Sequence, residues 1–206
     1  SVTTLAADTT GAISYRDTSA LVVGVVGGTT GITTTNDNVT LQTGGTLDIN
    51  EAVALGLGNL TLNAGAAANQ AAAGNITAAG LELLGTGPYT LTNAGNNVAT
   101  IAGSVTNAVQ YTDTDDLTVG SVTTVGLAAS GVVLSAGDTL TLSQNVNTGA
   151  GDVRLVSTAD VTQDGGAITA NNLGVRAVTG VTLAQPGNNA VTVAILNTTS
   201  GNVSYQ

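Results

Sequence analysis

Residues 151–175 read GDVRLVSTADVTQDGGAITANNLGV, and this stretch predicts the fold. Apolar and polar residues alternate through Val153, Arg154 and Leu155, which is the pattern of a β-strand with one buried face. A Gly-Gly pair at Gly165–Gly166 indicates a turn. A second alternating segment ends at Val175, about 20 residues after Leu155. We interpret strands and turns recurring every 20 residues as the unit of the chain.

The same unit recurs along most of the sequence. Alternating triplets end at Leu41, Leu62, Leu83, Leu134, Leu155 and Val175. A coil this short cannot bury its own apolar face, so the period is typical of a solenoid whose stacked coils share one core. The sequence therefore predicts an all-β protein, a parallel β-helix with about 20 residues per coil and roughly ten coils, continuous over 1–206. At about 4.8 Å per strand, ten coils would form a rod near 48 Å long.

An array of β-sandwich domains, each of about 95 residues, is the alternative fold. The chain lacks the buried aromatic residues expected of many such domains. Alternation every 20 residues also disfavours the sandwich and favours the solenoid.

A longer repeat of about 95 residues is superimposed on the short period. The segment ISYRDT at 13–18 returns as VQYTDT at 109–114, and the chain ends on a third version, VSY. We place copy one at about 13–108, copy two at about 109–202 and the start of a third copy at 203–206. The ragged ends predict that these residues are a segment of a longer array. Tyr15, Tyr111 and Tyr205 mark this repeat, and we interpret them as packing positions.

The composition excludes several kinds of chemistry. The chain contains no Cys, Met, Trp, Phe, His or Lys, and 42% of its residues are hydrophobic. A Ser-His or Cys-His nucleophile, a zinc site, a lysine Schiff base and a disulfide therefore cannot be built. We expect a protein that is not an enzyme and that needs no cofactor. Small aliphatic side chains also suit the narrow interior of a coil.

The charge excludes further partners. Thirteen acidic residues against three arginines give a formal net charge of −10. Clustered basic residues are required to bind phosphate backbones, so we do not expect nucleic acid as a partner. The longest apolar run, Ala20–Val26, is much shorter than the roughly 20 residues that span a bilayer, so membrane insertion is not expected either. The abundance of Thr, Asn and Gly favours a secreted or bacterial surface protein.

Several segments resemble a known group of bacterial proteins. They include NVTL at 38–41, GTLDI at 45–49, GNLTLNA at 58–64, YTLTNAGNNVATIAG at 89–103 and DTLTLSQNV at 138–146. They are similar to the repeat region of filamentous-haemagglutinin-like exoproteins, the large adhesins exported by two-partner secretion or as autotransporters. The resemblance implies a right-handed parallel β-helix in a surface-exposed stalk, outside the cell or on the outer membrane.

The densest acidic cluster is the candidate metal site. Asp113, Asp115 and Asp116 could supply oxygen ligands to Ca²⁺. The matching positions in copy one are Asp17, Ser19 and Ala20, so only Asp113 has an acidic counterpart. A solvated turn is the interpretation that we favour, and a Ca²⁺-dependent surface array is the alternative function.

Two further functions depend on exposed side chains. A carbohydrate-active β-helix would use carboxylates in a groove, and the candidates are Asp48 with Glu51, and Asp152 and Asp160 with Arg154 and Arg176. Ice binding would use Thr-x-Thr pairs, which start at positions 90, 112 and 139 with irregular spacing. Both are weaker than the structural interpretation, a non-catalytic stalk whose uncapped coils associate end to end and which binds a receptor or glycan on a host or neighbouring cell.

Overall fold

The computed structural model describes residues 2–206 and is built from β-strands and turns alone. Of 27 strands, 25 belong to one sheet in which every neighbouring pair is parallel. The other two, β5 (Val25–Val26) and β6 (Thr29–Thr30), form an antiparallel hairpin. This architecture confirms the prediction of an all-β parallel solenoid. No segment within residues 2–206 forms a helix able to cross a membrane.

One side of the solenoid, called side A, runs through every coil. Successive rungs on it are Thr4, Val22, Asp48, Asn69, Thr90, Gln110, Val133, Arg154, Gly174 and Ala194. These ten rungs confirm the predicted number of coils. The strands of side A are β1 (Thr4–Leu5), β4 (Leu21–Val23), β9 (Leu47–Ile49), β12 (Ala68–Gln70), β14 (Tyr89–Leu91), β16 (Val109–Thr112), β19 (Val132–Ala136), β22 (Asp152–Ser157) and the later parts of β24 (Ile168–Ala177) and β26 (Asn189–Asn197).

The remaining strands form two further sides. Side B contains β3 (Ile13–Asp17), β8 (Val39–Thr43), β11 (Asn59–Ala64), the later parts of β13 (Ile76–Gly85) and β15 (Asn97–Val105), then β17 (Leu117–Val119), β20 (Leu140–Leu142), β23 (Asp160–Gln163), β25 (Gly180–Leu183) and β27 (Val203–Tyr205). Side C contains β2 (Ala7–Thr9), β7 (Ile32–Thr34), β10 (Val53–Ala54) and the starts of β13 and β15. In copy two the third side consists of β18 (Leu127–Ala128), β21 (Val146–Asn147) and the starts of β24 and β26.

The interior is filled by ladders of aliphatic side chains. Every triplet end named from the sequence is buried, and Leu41, Leu62 and Leu83 stack directly on one another. Burying one such side chain stabilises the fold by about 1.5–3 kcal/mol. Alternate residues face outward, which is the arrangement that the period-two pattern predicts. Two tyrosines, Tyr89 and Tyr111, also lie fully inside, and Tyr111 is one of the tyrosines that the long repeat predicted as a packing position.

The two copies of the long repeat lie on different sides of the solenoid. Ile13, Val39, Leu60, Leu81 and Ile101 form one column on side B, whereas their equivalents Val109, Val132, Val153, Leu173 and Val193 form a column on side A. The first strand of copy two, β16, stacks on β14 of side A, and β15 of side B supports both β17 and β18. Copy one therefore spans four coils plus one side, and copy two begins one side further round the solenoid than copy one.

Candidate functional site

The boundary between the copies is organised by a buried aspartate. Oδ2 of Asp113 accepts hydrogen bonds from the Tyr111 hydroxyl at 2.7 Å and from the Val98 N–H at 2.9 Å. Oδ1 accepts from the N–H of Asp115 at 3.1 Å. Asp113 thus links the first strand of copy two to the coil beneath it by hydrogen bonds. The turn that it forms lies over the start of β15, where the next strand of side C would otherwise lie. The chain therefore passes from β16 on side A directly to β17 on side B.

The same arrangement is present one repeat earlier. Asp17 accepts hydrogen bonds from the Tyr15 hydroxyl, the Val2 N–H and the Ser19 N–H, at 3.1, 2.8 and 2.8 Å. Backbone hydrogen bonds from Val2 and Ser19 lower the pKa of Asp17. At Asp113, burial outweighs the hydrogen bonds and raises the pKa to about 6. The two sites share their partners and both aspartates are buried, but desolvation is the dominant influence on the pKa only at Asp113.

The calcium candidates have separate hydrogen-bond partners. Asp113 is buried with the three internal donors described above. Asp115 accepts from Asn97 Nδ2 at 2.9 Å, and Asp116 accepts from the Thr139 N–H at 2.9 Å. Within residues 2–206 no three carboxylates are grouped so that they could hold a metal ion.

A hairpin of copy two packs on the outside of copy one. Between β17 and β18 the chain folds back on itself, with an antiparallel bridge between Ser121 and Val125. Oε1 of Glu82 accepts hydrogen bonds from the N–H and the hydroxyl of Thr124, both at 2.7 Å. Oε2 accepts from the Thr61 hydroxyl at 3.1 Å. Burial would raise the pKa of Glu82, but these hydrogen bonds together lower it.

Paired carboxamides stabilise the turns inside both copies. Gln70 and Asn96 exchange hydrogen bonds through their amide groups, and Asn96 also accepts from the Ile76 N–H at 2.9 Å. Gln163 and Asn188 repeat this pair at 2.8 and 2.9 Å. The sequence repeat contained the signal, since Gln70 matches Gln163 and Asn96 matches Asn188, but nothing in it indicated that the partners meet.

An outer groove lies on side A of copy two. Its volume is about 490 Å³, and its floor is formed by the small residues Gly174 and Ala194 beside Arg154 and Arg176. Two of the three arginines of the chain therefore line it, and both point outward as predicted. Asp152 also lines the groove, where its Oδ1 accepts from Asn172 Nδ2 at 2.7 Å.

The structure brings together only part of the predicted carbohydrate site. Asp160 begins β23 on side B, where its Oδ1 accepts from the Thr179 hydroxyl at 2.7 Å. Asp48 accepts from Asn69 Nδ2 at 2.9 Å on the next rung of side A, and Glu51 follows in the turn after β9. The carboxylates of Asp48 and Asp160 each accept a hydrogen bond from a side chain of the following coil.

Threonine forms an outward ladder on side B, as expected for a repeated residue on the outer face of stacked coils. Thr100, Thr118, Thr141, Thr162 and Thr182 occupy successive rungs of side B, and the Thr141 and Thr162 hydroxyls are 3.1 Å apart. The ladder is one residue wide. Of the Thr-x-Thr pairs considered for ice binding, the one that starts at Thr139 contributes Thr141 to this ladder, whereas Thr90 lies on side A.

Comparison of the chain with protein-family models, with curated proteins and with solved structures finds no match.

Proposed function

We propose that this chain is a structural and adhesive stalk segment of a bacterial cell-surface adhesin or extracellular filament, and that it has no catalytic role. The observation that supports this role is the uninterrupted stack of ten coils around one aliphatic core. Stacked parallel coils resist bending because the strands of each coil are hydrogen-bonded to those of the neighbouring coils. Such a rod carries a binding surface away from the point where it is attached.

The repeat geometry adds a second property to the rod. Copy two begins one side further round than copy one, so the outward-facing side chains at equivalent positions of the two copies point in different directions. A stalk of this kind presents equivalent surfaces on more than one side of its axis, which suits a segment that meets receptors or neighbouring filaments from more than one direction.

A cell-surface fusion tests the stalk role. The chain is placed between an outer-membrane anchor and a fluorescent reporter, and the height of the reporter is measured by super-resolution imaging. We expect the chain to raise the reporter by about 48 Å relative to a fusion that lacks it. A flexible Gly-Ser linker of 206 residues is the control. An unchanged height, or one no better defined than with the linker, would contradict the proposal.

Catalysis is tested separately on a panel of bacterial and host glycans. We expect no turnover by the wild-type chain, and the same binding by Asp152→Asn and Asp160→Asn variants. Turnover that disappears in the Asp152→Asn variant would replace the stalk role with that of a carbohydrate-active enzyme.

A further inference from the structure

We propose that the outer groove on side A of copy two binds the carboxylate of an acidic saccharide, and that Arg154 and Arg176 hold it. The inference rests on the proposed role as an adhesive stalk and names the class of glycan that the stalk takes. It places the binding on the lateral surface of the rod.

The two arginines of the groove are free to bind an external group. Both are exposed, and neither Arg154 nor Arg176 forms an ion pair or a hydrogen bond through its guanidinium group within residues 2–206. Asp152 on the same face is already bound, because its Oδ1 accepts from Asn172 Nδ2 at 2.7 Å. The N–H donors of both guanidinium groups are therefore available to an acceptor from outside the chain.

The stacking of β22 on β24 brings the two arginines to one face. Arg154 is in register with Gly174, and Arg176 lies two residues further along the strand that contains Gly174. Neighbouring rungs are about 4.8 Å apart and two residues of a strand span about 6.6 Å, so the two Cα atoms are roughly 8 Å apart. Side chains as long as arginine reach across this distance, so one ligand can contact both guanidinium groups.

The floor of the groove is open because it lacks large side chains. A methyl group placed on Gly174 would have no atom within 4 Å, and Ala194 on the next rung contributes only a methyl group. The volume of about 490 Å³ lies within the range of about 300–1,000 Å³ that is usual for ligand sites. Gly174 has a paired strand on each side, β22 and β26, so the opening belongs to the lateral face of the sheet and not to its edge.

The equivalent face of copy one has the opposite chemistry. There Glu82 occupies the position that corresponds to Gly174, and its carboxylate accepts hydrogen bonds from Thr124 of the covering hairpin. Copy two lacks this internal carboxylate and has Arg154 and Arg176 beside the glycine instead. In copy one the face supplies the acid and the hairpin supplies the donors. In copy two the face supplies the donors, so we infer that the acid comes from a ligand.

The groups around the groove favour an acidic sugar as that ligand. A guanidinium group matches a carboxylate through two parallel hydrogen bonds, which are stronger than those between neutral groups. Asn172 and Thr192 face outward on adjacent rungs beside the arginines, and amide and hydroxyl groups donate to and accept from sugar hydroxyls. The flat floor at Gly174 and Ala194 leaves room for the C–H face of a sugar ring.

Isothermal titration calorimetry of the 206-residue chain with a tetrameric oligogalacturonate tests the arginines. Arg154→Gln and Arg176→Gln each remove one guanidinium group. Arg16→Gln is the matched control, because Arg16 is an exposed arginine of β3 in the first coil. We expect wild type and Arg16→Gln to bind equally, and the other two variants to bind at least tenfold more weakly. Circular dichroism and melting should be unchanged, since all three side chains are exposed.

A fourth variant tests the groove without touching the arginines. Gly174→Leu fills the floor, and the open space around Gly174 lets the fold accept the larger side chain. We expect this variant to melt no lower than wild type and to lose saccharide binding although both guanidinium groups remain. Two further ligands test the chemistry. The methyl ester of the same saccharide should not bind, and a tetraglutamate peptide should bind more weakly than the saccharide.

Several results would overturn the inference: no binding of the oligogalacturonate by wild type, equal weakening in Arg16→Gln, unchanged binding in Gly174→Leu, or equal binding of the methyl ester. Tighter binding of the glutamate peptide would replace the saccharide with an acidic peptide as the ligand. Each of these leaves the stalk role standing, since a rod that binds no saccharide still raises a surface reporter. Conversely, an unchanged reporter height contradicts the stalk role whatever the purified chain binds.

Discussion

Tyr111 donates its hydroxyl hydrogen to Oδ2 of Asp113 across 2.7 Å, and both side chains lie inside the solenoid. The equivalent pair, Tyr15 and Asp17, makes the same contact at 3.1 Å in the first coil. A carboxylate covered by coils above and below loses more solvation than one at the end of the stack. Burial therefore makes Asp113 harder to ionise, whereas backbone hydrogen bonds make Asp17 easier to ionise.

The first prediction concerns pH. The pKa of Asp113 is raised to about 6 by burial, against about 3.9 in an unfolded chain. A group whose pKa is higher in the folded state stabilises the fold fully at a pH below its unfolded pKa. This stabilisation is lost as the pH rises through its folded pKa. We expect Asp113 to weaken the fold by on the order of 2 kcal/mol between pH 4 and pH 7. Thermal melts of wild type and Asp113→Asn across this range measure it, and the variant should show the flatter profile. Identical profiles would show that Asp113 does not titrate there.

The second prediction concerns the docked hairpin. Replacing Glu82 with Gln leaves Thr124 without its charged acceptor, and hydrogen bonds to charged groups contribute about 1.5–3 kcal/mol. We expect Glu82→Gln to lower the free energy of unfolding by about that amount and to make the Ser121–Val125 hairpin sensitive to protease. Val125→Ala is the control, since Val125 is 66% exposed in the same hairpin and should change stability by less than about 0.5 kcal/mol.

The sign of the pH effect at Glu82 is opposite to that at Asp113. Its pKa is lowered in the fold by the hydrogen bonds from Thr124 and Thr61, which outweigh burial. The stabilisation that ionised Glu82 contributes is therefore present above its unfolded pKa of about 4.3. It is lost as the pH falls through the lower pKa of the folded state. In Glu82→Gln the loss of stability in acid should be smaller than in wild type. A steeper loss of stability in the variant would mean that burial of Glu82, which raises its pKa, outweighs the hydrogen bonds that lower it.

The third prediction concerns the carboxamide pairs. Gln70 and Asn96 exchange hydrogen bonds in a buried turn, so removing either leaves the other unsatisfied. A double-mutant cycle of Gln70→Ala and Asn96→Ala should give a coupling of about 0.5–3 kcal/mol in chemical denaturation. The cycle of Gln163 with Asn188 should agree with it, since the geometry repeats. Additive effects in both cycles would contradict a shared network.

The fourth prediction concerns calcium. Adding Ca²⁺ or EDTA should leave the melting temperature unchanged, because the carboxylates of Asp113, Asp115 and Asp116 have separate hydrogen-bond partners. A ligand that binds only the folded state would raise it, by about 2.7 kcal/mol of stability at a hundred times its dissociation constant. A rise that the double variant Asp115→Asn, Asp116→Asn abolishes would establish the calcium site after all.

Much of the architecture could be predicted from the chain because the signals are local. Alternation at Val153, Arg154 and Leu155 depends only on neighbouring residues, and it correctly placed Arg154 outside and Leu155 inside. The candidate site was less predictable. The alternation predicts that Arg154 and Arg176 face outward. It does not predict the groove between them, because the groove depends on the small residues Gly174 and Ala194 on adjacent rungs.

The sequence by itself determined the coil: its length, its alternation, its aliphatic filling and the existence of two copies. Only the tertiary structure decided on which side copy two begins, because that depends on how many sides the chain passes before the repeat returns. It also decided that Thr124 meets Glu82, which lies 42 residues away in the chain. The local sequence pattern determines the structure of one coil, whereas the stacking of many coils determines which side chains from distant parts of the chain meet.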